Sequence, residues 1–414
     1  MKKLIKFLAD KRGNFAITFG LTIMPVMFLT GMAIDYSEMQ RHRWRLQETA
    51  DASALYATKQ LEQAGRTEND LLGDAKNVVA SDFDIEGDPE VDLDKKANRL
   101  TVTLHKFYQP TFLSIIDQAP IKIGVLAEVA YDEVFEGAKC FVSLSESGSG
   151  VLTLNGNSKI DAKKCGVHVN SDSSKAVDLN GSNTEIESES NCFVGGVDSG
   201  LGRIQPPPET SCAILPDPFN DYDLPTVGNC TYTDYKVNAN RTVTLNPGVY
   251  CGGLSIGSGA QVTFSPGLYI IKNGAFKTTG SSHLEGEGVS FYFTGDDIAV
   301  NFSGGTTFHL VAMETGDMAG FIFFFDPNSD MTKSSEFSGN SNTYFEGLMY
   351  FGNRDLRING SGEVNTGSPF SSIVANTITL NGSATLNFNI DAAHTDVPIP
   401  EELYEKSITA YLVR

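Results

Sequence analysis

The sequence lacks the short motifs that mark common enzyme and metal-binding families. None of its six cysteines forms a C-x-x-C pair and none of its six histidines forms an H-x-x-x-H or H-x-H pair, which argues against zinc and thioredoxin-type redox sites. It also contains no Walker loop. We therefore expect no cofactor, no metal site and no enzymatic activity.

Positive charge is scarce outside the N-terminal segment. The formal net charge is −20, and residues 1–34 carry five basic side chains against one aspartate, so the remainder carries a net −24. A body this acidic repels phosphate backbones. Nucleic acid is therefore excluded as an expected partner.

Cysteine is confined to the middle of the chain. An even number without metal-ligand spacing favours disulfides formed in an oxidising compartment. Among the many possible connectivities we favour sequential pairing, because each pair then closes a loop of about one structural repeat. The six residues are Cys140, Cys165, Cys192, Cys212, Cys230 and Cys251.

Long apolar runs are also rare, and only one could cross a bilayer. Phe15 to Ile34 contains no charged residue, and twenty residues at 1.5 Å each span about 30 Å, the thickness of the hydrocarbon layer. Basic residues precede the run, which places residues 1–14 in the cytoplasm and the chain after residue 34 outside it. A cleaved signal peptide is the alternative, but the run is long for one and no A-x-A site follows. We expect a single uncleaved anchor at residues 15–34.

Residues 35–136 have the pattern of a pilin-like α+β module. Apolar residues at helical spacing predict that the helix continues from Asp35 to Gln63. Further elements are expected as a helix at Asn69–Phe83 with Asn69 as its N-cap, a strand at Leu100–Leu104, a short helix at Pro110–Ile116, and a strand at Ile121–Tyr131 broken by Gly124.

Residues 137–395 repeat short strand–turn phrases. One phrase occurs as Leu152-Thr-Leu-Asn-Gly156, Val177-Asp-Leu-Asn-Gly181, Leu356-Arg-Ile-Asn-Gly360 and Ile378-Thr-Leu-Asn-Gly382, and another as Asn246-Pro-Gly-Val-Tyr250 and Ser265-Pro-Gly-Leu-Tyr269. Periods near 20 residues with one strand and one turn are typical of a parallel β-solenoid. An antiparallel β-sandwich is the alternative. The period is irregular between residues 196 and 242, where proline clusters predict a disulfide-tied excursion, and residues 396–414 are expected to form a C-terminal tail.

Few residues in the repeats are arranged for chemistry. A glycosidase needs two carboxylates on one face, and the tight acidic clusters are Glu285 with Glu287 and the pair Asp296-Asp297. Neighbouring glycines favour turns at both places. The acidic segment Asp326–Asp330 could bind calcium, but its motif is incomplete and a plain turn is the simpler interpretation.

Three segments near the N-terminus resemble the TadE/TadG-like family of tight-adherence (Flp) pilus assembly proteins. They are Lys11-Arg-Gly-Asn-Phe-Ala-Ile17 before the apolar run, Gly31-Met-Ala-Ile-Asp-Tyr36 at its end, and Leu46-Gln-Glu-Thr-Ala-Asp-Ala-Ser-Ala-Leu55 beyond it. The motif positions are Gly13, Asn14, Asp35, Tyr36, Ala50, Asp51 and Ala52.

The resemblance implies a bitopic bacterial inner-membrane protein, with its bulk in the periplasm, that helps assemble or display an adhesive pilus. Its partners would be the membrane and other pilus-assembly or pilin-like proteins. Two alternatives remain open, a membrane-anchored adhesin or glycan-binding solenoid that contacts a surface, and a polysaccharide-active enzyme.

Overall fold

The computed structural model describes residues 14–62, 67–81, 90–96, 98–329, 333–340 and 343–413. The chain divides into two compact units. The first comprises residues 1–134 together with 406–414, and the second comprises residues 135–405.

Two helices begin the first unit. Helix α1 runs from Asn14 to Lys59 and continues as the 3-10 helix Gln60–Glu62, so the apolar segment and the amphipathic segment form one helix. Helix α2 spans Glu68–Ser81. Its N-cap is Thr67 and not Asn69, because the Thr67 and Asp70 side chains each accept a hydrogen bond from the other residue's backbone N–H.

An antiparallel sheet completes the first unit. Its strands are β1 (Glu90–Lys96), β2 (Arg99–Tyr108), β3 (Ile121–Glu136) and the C-terminal strand β29 (Glu405–Leu412), in the order β1-β2-β3-β29. We expected Gly124 to break β3, but the strand continues through it. Gly124 pairs with His105, and a Cβ there would lie 2.9 Å from the His105 ring, so glycine makes room for a cross-strand neighbour.

Sequence and structure differ at two further points in this unit. The segment Pro110–Ile116 holds only the 3-10 turn Leu113–Ile115 in place of a short helix. The segment expected as a tail carries β29, whose alternation was too short and too polar to indicate a strand.

The core of the first unit lies between α1 and the sheet. Ala50, Ala54 and Ala57 are fully buried on one face of α1, and alternate residues of β2, such as Val102 and Leu104, are buried against that core. Alanine has the smallest apolar side chain, so it allows a sheet to approach a helix closely. The alanine-rich phrase after the apolar run is therefore a packing surface.

The second unit is built from β4 to β28. Its first strands, which we call the early stack, are β4 (Lys139–Ser143), β5 (Leu152–Leu154), β6 (Lys159–Val169), β7 (Val177–Leu179), β8 (Glu185–Phe193), β9 (Val197–Ser199), β10 (Ile204–Gln205) and β11 (Glu209–Thr210). The late stack comprises β12 (Tyr232–Val237), β13 (Thr242–Leu245), β14 (Gly248–Ile256), β15 (Gln261–Phe264), β16 (Gly267–Lys272), β17 (Ala275–Thr278), β18 (His283–Gly286), β19 (Val289–Thr294), β20 (Ala299–Phe302), β21 (Thr307–Val311), β22 (Phe321–Phe325), β23 (Ser335–Asn340), β24 (Thr343–Gly352), β25 (Leu356–Val364), β26 (Phe370–Ala375), β27 (Ile378–Asn387) and β28 (Asn389–Ile390).

These strands pair in parallel from one turn of the chain to the next, and each such turn is called a rung here. Strand β16 pairs with β19, for example, and β25 pairs with β27. The described pairings in this unit are parallel except for β26 with β28. The predicted parallel solenoid is confirmed, and the antiparallel sandwich is excluded as the fold of this unit.

The rungs are not stacked in chain order. The last strands of the late stack, β26 and β27, pair with the first strands of the early stack, β4, β5 and β6. We call this boundary the junction. The chain thus enters the solenoid at the junction, runs to one end at β11, crosses to the opposite end at β12, and returns rung by rung to the junction.

The four copies of the Leu-x-Leu-Asn-Gly phrase meet across the junction. In spatial order they are the phrases ending at Gly360, Gly382, Gly156 and Gly181, although the second and third lie more than 200 residues apart in sequence. Their asparagines form a ladder: Asn381 donates to Asn359 at 2.7 Å, Asn155 donates to Asn381 at 2.8 Å, and Asn180 donates to Asn155 at 3.2 Å. Each amide satisfies the next, so the ladder ties the two stacks together.

Aromatic rings fill the interior of the late stack. Phe323 contacts the rings of Phe291, Phe302 and Phe345, which come from other rungs. The Pro-Gly-x-Tyr phrase also has a structural reason. The hydroxyl of Tyr250 donates to the carbonyl of Asn246, so the buried ring closes its own turn.

Candidate functional site

The C-terminal end of the apolar run has a defined structural task around Asp35. This residue is only 1% exposed, and its carboxylate accepts backbone N–H bonds from Thr111, Phe112 and Leu113 at 2.9, 2.8 and 2.7 Å. Three such bonds satisfy a buried carboxylate and fix the loop that donates them. Asp35 therefore holds the β2–β3 loop against α1.

Two neighbouring motif residues differ in their surroundings. At Gly31, a Cβ would lie 2.7 Å from the ring of Phe112, so the absence of a side chain lets this ring rest on the helix. Tyr36 is 60% exposed. Its side chain is free to contact a partner or a bilayer surface.

The second motif segment lies where α1 packs on the sheet. Ala50 is fully buried, whereas Ala52 is exposed on the opposite face. Gln47 donates to the Asp51 carboxylate at 2.7 Å and to the carbonyl of Leu126 at 3.0 Å, which links helix to sheet. Of the remaining motif positions, Gly13 lies outside the described residues and Asn14 is the first residue of α1.

The N-terminal part of α1 has the properties of a membrane span. Among the described residues, α1 is the one helix long and apolar enough to cross a bilayer. Its large side chains are exposed, with Leu21 at 70% and Met24 at 76%. The hydroxyls of Thr22 and Thr30 donate to carbonyls four residues earlier, so they can enter lipid without an unsatisfied donor. Pro25 lies inside the helix without ending it.

All six cysteines are paired, and in the sequential order. The bonds are Cys140–Cys165, Cys192–Cys212 and Cys230–Cys251, which close loops of 25, 20 and 21 residues. By loss of chain entropy, loops of this size contribute about 3 kcal/mol each. Disulfides fit an extracytoplasmic location.

Two of the disulfides bracket the segment that crosses between the solenoid ends. We call residues 212–230 the strap. Cys192–Cys212 fixes its start to β8 near the last early rung, and Cys230–Cys251 fixes its end to β14 near the first late rung. The predicted excursion is therefore a connector of defined path.

The strap lies along the solenoid and covers aromatic residues. Asp217 accepts a hydrogen bond from the Tyr350 hydroxyl at 2.8 Å, and burial raises the pKa of Asp217. Phe219 is fully buried and packs edge-on against Phe321, while the Tyr222 ring lies 5.3 Å from Phe324. The apolar strand β22 is thus a core strand under the strap.

Sequence reasoning did not find these strap residues. The prolines around them indicated a departure from the repeat, but no periodicity marks a single Phe or Asp as an anchor. The two aromatic residues of the strap, Phe219 and Tyr222, are the signal that could have located it.

The carboxylates considered as catalytic candidates are exposed to solvent. Glu285 accepts a hydrogen bond from Thr263, and Glu287 lies 3.3 Å from His309. Asp296 and Asp297 follow β19 in a turn, as predicted, and Asp297 adopts a positive φ.

The carboxylate of the acidic loop after β22 is hydrogen-bonded to neighbouring protein groups. Asp326 accepts hydrogen bonds from Thr294, from Ser329 and from the backbone of Asn328, which is the pattern of a closed turn. Asp330 lies outside the described residues. In the described part of the chain, the one cluster of three potential metal ligands is Cys192, Glu209 and Cys212, and its two sulfurs form a disulfide.

The six histidines have separate neighbours. His168 is buried and bonds Asn170, His309 stacks on Tyr344, and His283 bonds Thr307. The other three are dispersed over both units: His42 lies near Tyr108, His105 pairs with Gly124 in the sheet, and His394 bonds Asp391.

Comparison with known proteins identifies the N-terminal helix. Residues 13–64 match a family model described as "Putative Flp pilus-assembly TadE/G-like". The match covers all the motif positions named above. The chain matches no curated protein and no solved structure.

Proposed function

Because residues 13–64 form a TadE/G-like Flp pilus-assembly domain, we propose that the protein is a membrane-anchored structural or assembly component of a tight-adherence pilus. The observation that carries this proposal is that the matched segment is α1, a membrane-capable helix continuous with a folded body. The basic residues before the helix favour a cytoplasmic N-terminus and a periplasmic body in a bacterial inner membrane.

The proposed mechanism is mechanical. Helix α1 anchors the chain and offers exposed apolar side chains to the spans of other pilin-like proteins. The first unit is fixed to α1 through Asp35 and the alanine stripe. The solenoid, cross-linked by disulfides at both ends, acts as a rigid spacer or display surface.

A structural role is also favoured over catalysis by the surface of the solenoid. Glu285 is half-exposed and bonded to Thr263, and Glu287 lies in a turn. Both side chains are open to solvent, at 51% exposed for Glu285 and 73% for Glu287. We propose that the protein is not an enzyme.

The test is a piliation assay in a deletion strain, read by electron microscopy. We expect pili to be lost and to return with the full chain. A truncation retaining only residues 1–64 tests whether the solenoid is needed. Normal piliation in the deletion strain would refute the proposal.

The same strain separates the alternatives. Intact pili with lost surface attachment would indicate an adhesin or glycan-binding solenoid. Turnover of an acidic polysaccharide that disappears on changing Glu285, Glu287, Asp296 or Asp297 would indicate an enzyme.

A further inference from the structure

The loop between β2 and β3 exposes apolar side chains at its tip. Ile115 is 76% exposed, Ile116 is 68% exposed and Phe112 is 36% exposed. The loop contains no charged residue between Gln109 and Ile116. Hairpin loops in water are normally polar, so this composition requires a reason.

The hairpin approaches the apolar segment of α1 as it approaches its own tip. In the middle of the hairpin, Leu126 contacts Gln47 of the helix. At the end of β2, the Tyr108 hydroxyl lies 3.3 Å from the Glu38 carboxylate. Burial raises the pKa of Tyr108, and the negative charge of Glu38 raises it further. The contacts therefore descend along α1 towards its N-terminal half.

At the tip, the loop lies beside the last turns of the apolar segment. Asp35 accepts the three backbone bonds of the loop, and the ring of Phe112 rests on Gly31. Gly31 belongs to the uncharged run that ends at Ile34. Ile115 and Ile116 follow within one 3-10 turn, so they lie near the same level as the end of this run.

Most backbone N–H groups at the tip are hydrogen-bonded within the protein, as an environment without water requires. The N–H groups of residues 111–113 bond Asp35, and those of residues 115–117 bond the carbonyls of Phe112 and Leu113. The Ser114 hydroxyl donates to the carbonyl of Thr111 at 2.8 Å. Irregular backbone exposed to lipid does not occur in the hydrocarbon core, so a tip with these satisfied N–H groups fits the interfacial region of the leaflet.

We propose that the tip of this hairpin, residues 112–116, inserts into the periplasmic leaflet of the bilayer beside α1. The protein then touches the membrane at two points, which fixes the rotation of the first unit about the helix axis. The lipid bilayer is the occupant that fits, since the apolar tip is continuous with the membrane-spanning surface of α1. This inference rests on the proposed anchoring by α1.

The experiment is depth-dependent quenching of tryptophan by brominated lipids, on the full chain in liposomes. Trp44 is the single tryptophan and is replaced by phenylalanine as a background. One tryptophan is then introduced by Ile116→Trp in the tip, Met24→Trp in the span, or Tyr56→Trp as an exposed control. Tyr56 lies 21 residues beyond Asp35 on the same helix, which is about 31 Å.

The expected pattern distinguishes the tip from the span. Ile116→Trp should lose about half of its fluorescence or more with bromines near the acyl carbonyls, and less with bromines near the chain ends. Met24→Trp should show the reverse, and Tyr56→Trp should be unchanged.

Each failure has its own meaning. If Met24→Trp is quenched while Ile116→Trp is not, the loop proposal is wrong and the anchor stands. If Met24→Trp is unquenched, the anchoring itself is wrong. A photo-crosslinking side chain at Ile115 that captures a protein instead of lipid in cells would also overturn the proposal.

Discussion

The column of glycines beside the junction gives a quantitative test of how closely the rungs stack. A Cβ on Gly382 would lie 2.2 Å from the carbonyl oxygen of Gly360, and one on Gly181 would lie 1.7 Å from that of Gly156. Carbon and oxygen without a bond approach no closer than about 3.3 Å. A methyl group therefore forces neighbouring rungs apart by about 1 Å, and the paired backbone must give way.

Four alanine variants separate this clash from backbone strain. Gly202 has neither a near neighbour nor a positive φ, Gly367 has only a positive φ of 80°, Gly181 has only the clash, and Gly382 has the clash and a φ of 103°. We expect Gly202→Ala to be neutral or stabilising by up to about 1 kcal/mol. Gly367→Ala should cost about 1–2 kcal/mol and Gly181→Ala about 1–3 kcal/mol. Gly382→Ala should cost about 2–5 kcal/mol, since both effects act.

The assay is thermal unfolding of the full chain in detergent, followed by far-UV circular dichroism of the sheet. A loss of about 2–5 kcal/mol corresponds to a fall in Tm of about 4–9 °C for a unit of this size. Trp44 lies in α1 and reports the first unit, so its fluorescence transition should not change. The close approach of β27 to β25 is refuted if Gly382→Ala is no less stable than Gly367→Ala, and that of β7 to β5 is refuted if Gly181→Ala equals Gly202→Ala.

Three further predictions concern the strap and the asparagine ladder. Burial raises the pKa of the folded Asp217 carboxyl above its ordinary value near 4, so the stability of the wild type should fall as the pH rises above about 4. Asp217→Asn should remove this dependence. Measuring Tm against pH for both proteins tests the prediction. Asn381→Ala removes the acceptor of the Asn155 amide N–H and the donor to the Asn359 carbonyl oxygen, and should cost about 1–2 kcal/mol in denaturant unfolding. Asn155→Cys combined with Asn381→Cys should form a disulfide, detectable by peptide mapping, because adjacent rungs lie about 4.8 Å apart.

Matched variants control the ladder predictions. Asn180→Ala ends the ladder at an exposed position, so it should cost less than Asn381→Ala. Asn180→Cys with Asn359→Cys spans three rungs, about 14 Å, and should not cross-link. A cross-link in this second pair, or none in the first, would contradict the stacking order. An equal Tm profile for Asp217→Asn and the wild type would show that the strap does not hold Asp217 in a buried site.

The repeat phrases predicted the shape of a rung but not its neighbours. In each copy of Leu-x-Leu-Asn-Gly, the two apolar residues alternate inward, as at Leu152 and Leu154, which is what the strand period requires. Because the phrases are nearly identical, however, any copy could stack equally well next to any other copy. Sequence therefore could not show that the copy ending at Gly156 stacks on the copy ending at Gly382.

In the first unit, local patterns located the elements but tertiary contacts set their details. The helical periodicity of α1 and the alternation of β2 were sufficient to predict both. Gly124 was expected to end a strand, yet β3 continues because β2 pairs along it on one side and β29 lies on the other. The role of Asp35 depends on a loop 76 residues away, which no local pattern can indicate.

The arrangement of the strap bears on what the solenoid can do. The end of a solenoid exposes an unpaired rung, on which a second copy could stack. At the early end, Arg203 donates to the carbonyls of Leu179 and Gly181, and the Cys192–Cys212 bond lies close by.

At the late end, the edge strand β12 is interrupted by an irregular register around Asp234, which adopts a positive φ, and it carries the charged Lys236. Bulges and charges of this kind discourage edge-to-edge pairing. The Cys230–Cys251 bond further ties this rung to its neighbour. Because both ends carry features that discourage edge-to-edge pairing, the solenoid is built as a discrete body. That property favours a display or spacer role over a subunit that polymerises through its solenoid ends.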